Sequence, residues 1–192
     1  MFEIFQKYLH SKGAFTDEDI AMIAAKSFHK RLRRRQYLLQ EGDVWKHYAF
    51  VCKGCLRSYR VNDRGDEHIL KFSVENWWAG DRESLLTGKP SQCNIEAMED
   101  SELIMFTKED FEMLCKQIPA FGEMVNLLVH RSYIASQNRV HADISYSSEE
   151  KYFRFIDQYP EIFKRVPLHM IASYLGISPE TLSRIRAQAT RK

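Results

Sequence analysis

Residues 168–186 read Leu168-His169-Met170-Ile171-Ala172-Ser173-Tyr174-Leu175-Gly176-Ile177-Ser178-Pro179-Glu180-Thr181-Leu182-Ser183-Arg184-Ile185-Arg186, and two short helices joined by a tight turn are written into them. Pro167 suits the first helical position, where a missing N–H costs nothing. Ile171 and Leu175 stand one turn apart and face a core, and Ala172 is small where a second helix has to cross. Gly176 can take a positive φ and end the first helix. Ile177 plugs the turn, and Ser178-Pro179 is an N-cap followed by proline, so a second helix begins at once. Leu182 and Ile185 point back at the first helix. About seven positions agree on a helix-turn-helix; the plain alternative is a helical hairpin with no further role. With Leu182 and Ile185 inside, the outward face of the second helix carries Glu180, Thr181, Arg184 and Gln188. Ser178, Pro179, Ser183 and Arg186 complete the candidate DNA-facing set. A glutamate can accept from cytosine N4, and an arginine can donate twice to guanine O6 and N7. Glu180 and Arg184 can also form an i,i+4 ion pair on an exposed helix, and such a pair could orient Arg184 before it meets a base.

The charge distribution agrees with a polyanion partner at this end. The net charge of +2 says little, but residues 164–192 hold six basic side chains (Lys164, Arg165, Arg184, Arg186, Arg191 and Lys192) against Glu180 alone. A basic end on a mildly acidic body suits nucleic acid, although a solvated terminus looks similar. A second basic run, Lys30-Arg31-Leu32-Arg33-Arg34-Arg35, lacks the interleaved aromatic residues that stack on bases and reads better as a solvated strand edge. The chain is 44% hydrophobic and 28% charged with only 8 glycines and 5 prolines, which excludes disorder and collagen-like structure. The longest run free of Asp, Glu, Lys and Arg is Val166–Pro179, too short and too Pro/Gly-broken to cross a bilayer. Glu3 and Lys7 interrupt any signal-like apolar segment, and four cysteines do not make a disulfide framework, so a cytoplasmic chain with reduced thiols is expected.

Further upstream the rhythm is that of short strands. Between Tyr37 and Phe106, apolar runs alternate with turn signals at Glu41-Gly42-Asp43, Lys53-Gly54, Asn62–Gly65, Thr87-Gly88-Lys89-Pro90 and Glu99-Asp100. The runs 47–52, 55–61, 67–74, 94–98 and 102–106 predict an antiparallel sandwich or barrel. Thr16, with Asp19 three residues on, opens a helix whose Phe15 and Ile20 sit at staple positions. Lys108-Glu109-Asp110 opens another that Pro119 breaks. Beyond it, Phe121, Val125, Leu128, Ser132, Ala135 and Arg139 follow 4-3-4-3-4 spacing. Phe121 through Ala135 are the candidate dimer seam; a helix lying on its own barrel has the same periodicity. The polar patch from His141 to Ser148 reads as a hinge, and Ser147-x-x-Glu150 caps a further helix carrying Tyr152, Phe153 and Ile156. The expected division is 1–118 for the β-rich domain, 119–142 for the long helix and hinge, and 143–192 for the helix-turn-helix domain, an α+β chain.

On these motifs the chain resembles the Crp/Fnr family of bacterial transcription regulators. The matching elements are Glu41-Gly42-Asp43 before a strand, the hairpin Phe50-Val51-Cys52-Lys53-Gly54-Cys55-Leu56-Arg57, and Ser178 to Arg184; the run from Val166 to Arg186 is similar to a Bacteroidetes-type branch. The resemblance covers residues 20–190. It implies an antiparallel β roll of the cyclic-nucleotide-binding type (a jelly roll), a long dimer helix and a C-terminal helix-turn-helix. It also implies a homodimer that binds double-stranded DNA through the residues matching Glu180 and Arg184, with RNA polymerase as a further partner and no membrane association.

Two departures qualify what carries over. The family's nucleotide pocket pairs Gly-Glu with Arg-Ser or Arg-Thr about ten residues later. Here Gly80-Asp81 stands at the first element and Ser91-Gln92-Cys93 at the second. Without a guanidinium there, cyclic AMP is not the expected effector unless Arg57 or Arg82 has taken the role. The candidate effector pocket is therefore Gly80, Asp81, Ser84, Ser91, Gln92 and Cys93, for an effector the sequence does not identify. Only six residues follow Arg186, so the phosphate contacts of a β-hairpin wing are not expected either. Cys52-x-x-Cys55 brackets a hairpin turn and reads as two strand residues rather than a metal or redox pair. No catalytic triad, phosphate-cradling glycine loop or paired-carboxylate site stands out, and neither an enzyme nor a cofactor or metal is expected. Two function classes remain: a dimeric DNA-binding regulator, and a signalling module whose β roll binds a ligand and whose helical tail docks a protein.

Overall fold

The computed structural model describes residues 1–189; Arg191 and Lys192 of the basic tail lie outside the described residues. Two antiparallel four-stranded sheets form the body. The strands are β1 (Phe28–Leu32), β2 (Tyr37–Leu39), β3 (His47–Lys53), β4 (Leu56–Val61), β5 (Glu67–Ser73), β6 (Trp78–Ala79), β7 (Asn94–Ala97) and β8 (Ser101–Thr107). One sheet runs β1-β8-β3-β6 and the other β2-β7-β4-β5. The helices are α1 (Phe2–His10), α2 (Asp17–Lys26), α3 (Arg82–Thr87), α4 (Lys108–Gln117), α5 (Pro119–Ser145), α6 (Ser148–Gln158), α7 (Pro160–Arg165), α8 (Leu168–Leu175) and α9 (Pro179–Ala189).

Strand alternation sends successive side chains to opposite faces, and here it builds three cores. Between the sheets lie Ala49, Val51, Leu56, Ile95, Ala97, Leu103 and Met105. The outer face of the first sheet turns Phe50, Cys52, Ile104 and Phe106 toward Phe5, Ile23, Phe111, Leu114 and Phe121 of the surrounding helices. The outer face of the second sheet turns Cys55, Tyr59, Ile69 and Phe72 toward Tyr152, Phe155, Ile171 and Ala172 of the C-terminal helices. Cys52 and Cys55 thus enter different cores on either side of their hairpin. Burial pushes their thiols up to about 11 and about 12, so both stay protonated and unreactive at neutral pH.

Local signals fix the helix ends. Thr16 and Asp19 form the capping box of α2, and Ser147 and Glu150 that of α6. Pro119 takes the first position of α5. Pro167 stands one place earlier than the sequence suggests, as the residue before α8. In α6 it is Phe155, not Phe153, that joins Tyr152 in the core. The polar patch after His141 is helical as far as Ser145, so the break between α5 and α6 narrows to Tyr146 and Ser147.

The seam expected on α5 turns inward. Phe121 is 0% exposed within its own subunit, and Val125 and Leu128 pack against the same core. These three therefore do not make an exposed dimer stripe; Ser132 and Ala135, farther along, are exposed. The helix had two apolar stripes, and the β roll covers the one through Phe121. The other, carrying Leu127, Tyr133, Ile134, Val140 and Ile144, lies open, with Ile144 80% exposed.

Candidate nucleic-acid interface

Gly176 ends α8 with φ +66° and ψ 32°, the left-handed conformation that glycine adopts without a Cβ penalty. The chain turns sharply there, and Ile177 N donates to Ala172 O at 3.1 Å. Ser178 Oγ accepts from Thr181 N at 3.2 Å, so the serine caps α9. Ile171, Ala172, Leu175, Leu182 and Ile185 are buried together, which leaves Glu180, Arg184 and Gln188 on the open face and Thr181 half-buried beside them. Ser178, Pro179, Ser183 and Arg186 are exposed as well.

Arg184 is steered by a different partner from the one its spacing suggests. Its guanidinium donates to Thr181 Oγ1 at 3.1 Å, and no ion pair joins it to Glu180 among the described residues. Glu180 is held below its ordinary value by its own backbone N–H first, then by Ser178 and by the charge of Arg184. It is therefore a carboxylate acceptor at neutral pH. Arg186, though exposed, reaches back to the Tyr152 hydroxyl of α6, close enough to hydrogen-bond with it. The exposed face of α9 thus presents one acceptor and one forked donor a turn apart at its N-terminal end.

Three contacts seat this unit on the β roll, and none was apparent in the sequence. Arg165 donates to Glu75 at 2.7 and 3.1 Å and also pairs with Glu99. Ser173 of α8 donates to Glu67 O at 2.9 Å and accepts from Ile69 N at 3.0 Å, bonding to the free edge of β5. Arg139 of α5 stacks on the Tyr174 ring with 4.2 Å to its centroid and donates to Tyr174 O at 3.1 Å and to Leu70 O.

The candidate effector pocket is a cleft of about 250 Å³ lined by Asp81, Glu83, Ser84, Lys89, Pro90 and Gln92. Gly80 lies so close to Trp45 that a Cβ would stand 2.5 Å from its indole nitrogen. Asp81 caps α3, accepting from Glu83 N at 2.9 Å and Ser84 N at 3.3 Å. Its second oxygen accepts from Ser91 Oγ at 2.7 Å, with Cys93 Sγ 3.8 Å away. Ser84 Oγ donates to Lys89 O at 2.6 Å. The structure therefore brings Asp81, Ser84, Ser91 and Cys93 together as a closed network, with Gln92 at the rim. Two carboxylates and one ammonium line the cleft, a poor balance for an anion. Arg57 does not compensate: it is stacked on Tyr59, donates to Glu96 at 2.6 and 2.8 Å, and pairs with Glu67. Arg82 is outside the lining.

Residues 29–118 match the cyclic nucleotide-binding domain. The chain is similar to the fumarate and nitrate reduction regulatory protein of Vibrio cholerae, at 24% identity over 81% of this chain and 66% of the relative. It is likewise similar to the transcriptional activator protein anr of Pseudomonas aeruginosa, at 21% identity over 80% of this chain and 67% of the relative. The chain spans about two thirds of the length of these curated relatives. Among solved structures, FixK2 of Bradyrhizobium japonicum superposes with a TM-score of 0.73 at 16% identity, covering 86% of this chain and 85% of that one. The c-di-GMP responsive global regulator CLP of Xanthomonas campestris also gives 0.73, at 14% identity and 92% of both chains. The superpositions give the chain the fold of these proteins, and residues 29–118 belong to the cyclic nucleotide-binding domain family.

Proposed function

We propose that the protein is a dimeric, sequence-specific DNA-binding transcription regulator in which α9 enters the major groove and the β roll holds a signal other than cyclic AMP or serves as a scaffold. The observation that carries this reading is the face of α9: Leu182 and Ile185 are buried while Glu180, Arg184 and Gln188 are exposed, and half-buried Thr181 orients Arg184. That is the set of groups that reads base edges from a helix N-terminus. The cyclic nucleotide-binding domain match supports it, and so do the Crp/Fnr-type regulators to which the chain is similar.

The outward stripe of α5 supplies the two-fold contact. Leu127, Tyr133, Ile134, Val140 and Ile144 run along a helix of 27 residues, each more than half exposed in its own subunit. A two-fold assembly sets recognition helices about 34 Å apart, one per successive major groove. RNA polymerase is the partner such a regulator would contact in turn, and the reading needs no catalytic group or cofactor. Incubation with a random duplex pool tests the reading: enrichment of a two-fold symmetric sequence supports it. A folded dimer that enriches nothing and shows no salt-dependent DNA affinity contradicts it, and would favour a tail that docks a protein.

A further inference from the structure

Arg139 is where three parts of the molecule meet. It stands on α5 and stacks on the Tyr174 ring of α8. The same guanidinium donates to Tyr174 O at 3.1 Å, to Leu70 O, and to Ile69 O at 3.5 Å. Tyr174 O lies in the last turn of α8, where carbonyls lack a partner within the helix and a cation is favoured. Leu70 is the residue at which β5 slips its register on β4: Ser58 faces Lys71 and Tyr59 faces Ile69, so Leu70 has no opposite number, and its carbonyl takes the guanidinium. Among the described residues no carboxylate forms an ion pair with Arg139. Its planar fork is set by backbone carbonyls of two elements and by a ring, an arrangement that a point-like ammonium does not reproduce.

The same stretch of α5 carries the outward apolar stripe. Val140, next to Arg139, is 52% exposed, and Ile144 follows one turn on. The junction with α6 is braced as well. Lys151 Nζ donates to Asp143 O at 3.2 Å and lies 3.6 Å from its carboxylate, and Arg154 sits 4.2 Å over the Tyr146 ring. In the dimer proposed above, the path from the two-fold contact to α9 therefore runs through short, stiff contacts. On a duplex, one base pair added between half-sites moves the second by roughly 3.4 Å and turns it by about 34°, a change that a stiff path does not follow.

We infer that Arg139 is a positioning residue that fixes the separation of the two α9 helices, so that the regulator selects half-site spacing as well as half-site sequence. The inference rests on the dimeric DNA-binding reading above and extends it to the geometry of the operator. Arg139 acts through α8 and β5 and touches no base.

A symmetric sequence enriched from a random duplex pool by the wild-type protein supplies the probes. They are the sequence as enriched, the same sequence with one or two base pairs inserted at its centre, and a duplex carrying one half-site alone. Wild-type protein should lose about ten-fold or more in affinity on each insertion. R139A should bind the enriched and inserted duplexes within about three-fold of one another. It should match wild type on the single half-site, which also reports that it folds. R139K keeps the charge but not the planar fork, and should follow R139A. Spacing discrimination as sharp in R139A as in wild type overturns the inference, and so does a wild-type protein indifferent to spacing. Equal loss by R139A on every duplex, the half-site included, also overturns it, because Arg139 would then belong to the DNA contact or the fold. R139K indistinguishable from wild type overturns it too, since charge alone would suffice. A wild-type protein that enriches no duplex, or that sediments as a monomer, defeats the underlying reading itself.

Discussion

Ser91 donates its hydroxyl hydrogen to Asp81 across 2.7 Å, and this bond ties up one oxygen of a carboxylate that lines the cleft. Asp81 is at the same time the cap of α3. A cyclic nucleotide in this cleft would meet the carboxylates of Asp81 and Glu83, with Lys89 as the one cation in the lining. Titration calorimetry with cyclic AMP should therefore show no binding at physiological concentration. A micromolar dissociation constant would contradict this reading of the cleft.

Glu75 and Arg165 tie the β roll to the helices that carry α9. Burial pushes the Glu75 carboxyl upward, but hydrogen bonds from Arg165 and from Gly54 N outweigh it and hold it below its ordinary value. A depressed carboxylate contributes stability that is present above the unfolded-state value and is lost as pH falls through the folded one. Glu75→Gln should cost about 1 kcal/mol at pH 7 after screening at a half-exposed site. Urea unfolding of both proteins should show that difference shrinking on acidification below the usual carboxylate range. A difference that stays constant or grows would count against the tie.

Gly176 has open space where a Cβ would stand, so substitution there costs conformation rather than collision. Gly176→Ala should destabilise the helix-turn-helix by about 1 kcal/mol, and Gly176→Asn by less. Thermal unfolding of the two variants checks the order.

On α5, residues one position apart should behave differently. Leu128 packs against the β-roll core while Leu127 is exposed. Ile134→Glu and Ile144→Glu should weaken the dimer in sedimentation with little change in subunit stability. Leu128→Glu should destabilise the subunit itself. A dimer unaffected by both outward changes would place the two-fold contact elsewhere.

The helix-turn-helix was legible because all its signals are local: a glycine, a serine cap, a proline and two apolar pairs within 19 residues. Strands β3, β4, β5, β7 and β8 are legible through their alternation, as in β3, where Ala49 and Val51 go one way and Phe50 and Cys52 the other; β2 and β6, three and two residues long, are too short to show one. The inward face of α5 was not, since Phe121-Val125-Leu128 and Leu127-Ile134 are both apolar and periodicity does not say which one the sheet covers. Helix α1 has helical spacing in Phe5, Tyr8 and Leu9, but no capping side chain marks its start and Glu3 and Lys7 interrupt its apolar run. The contacts of Arg165 with Glu75 and of Ser173 with Ile69 join residues 90 and 104 positions apart, a separation at which charge and hydroxyl pairs leave no local trace.

Arg184 provides the most direct test of base reading by α9. Titrations of wild-type protein and Arg184→Ala against the enriched duplex and a scrambled one, at several salt concentrations, separate reading from gripping. If the guanidinium takes a guanine by two hydrogen bonds, the substitution should cost about 1–3 kcal/mol on the enriched duplex, relax preference at one base pair, and leave scrambled DNA nearly unaffected. Equal losses on both duplexes would show that Arg184 holds the backbone, and would contradict base readout from this helix.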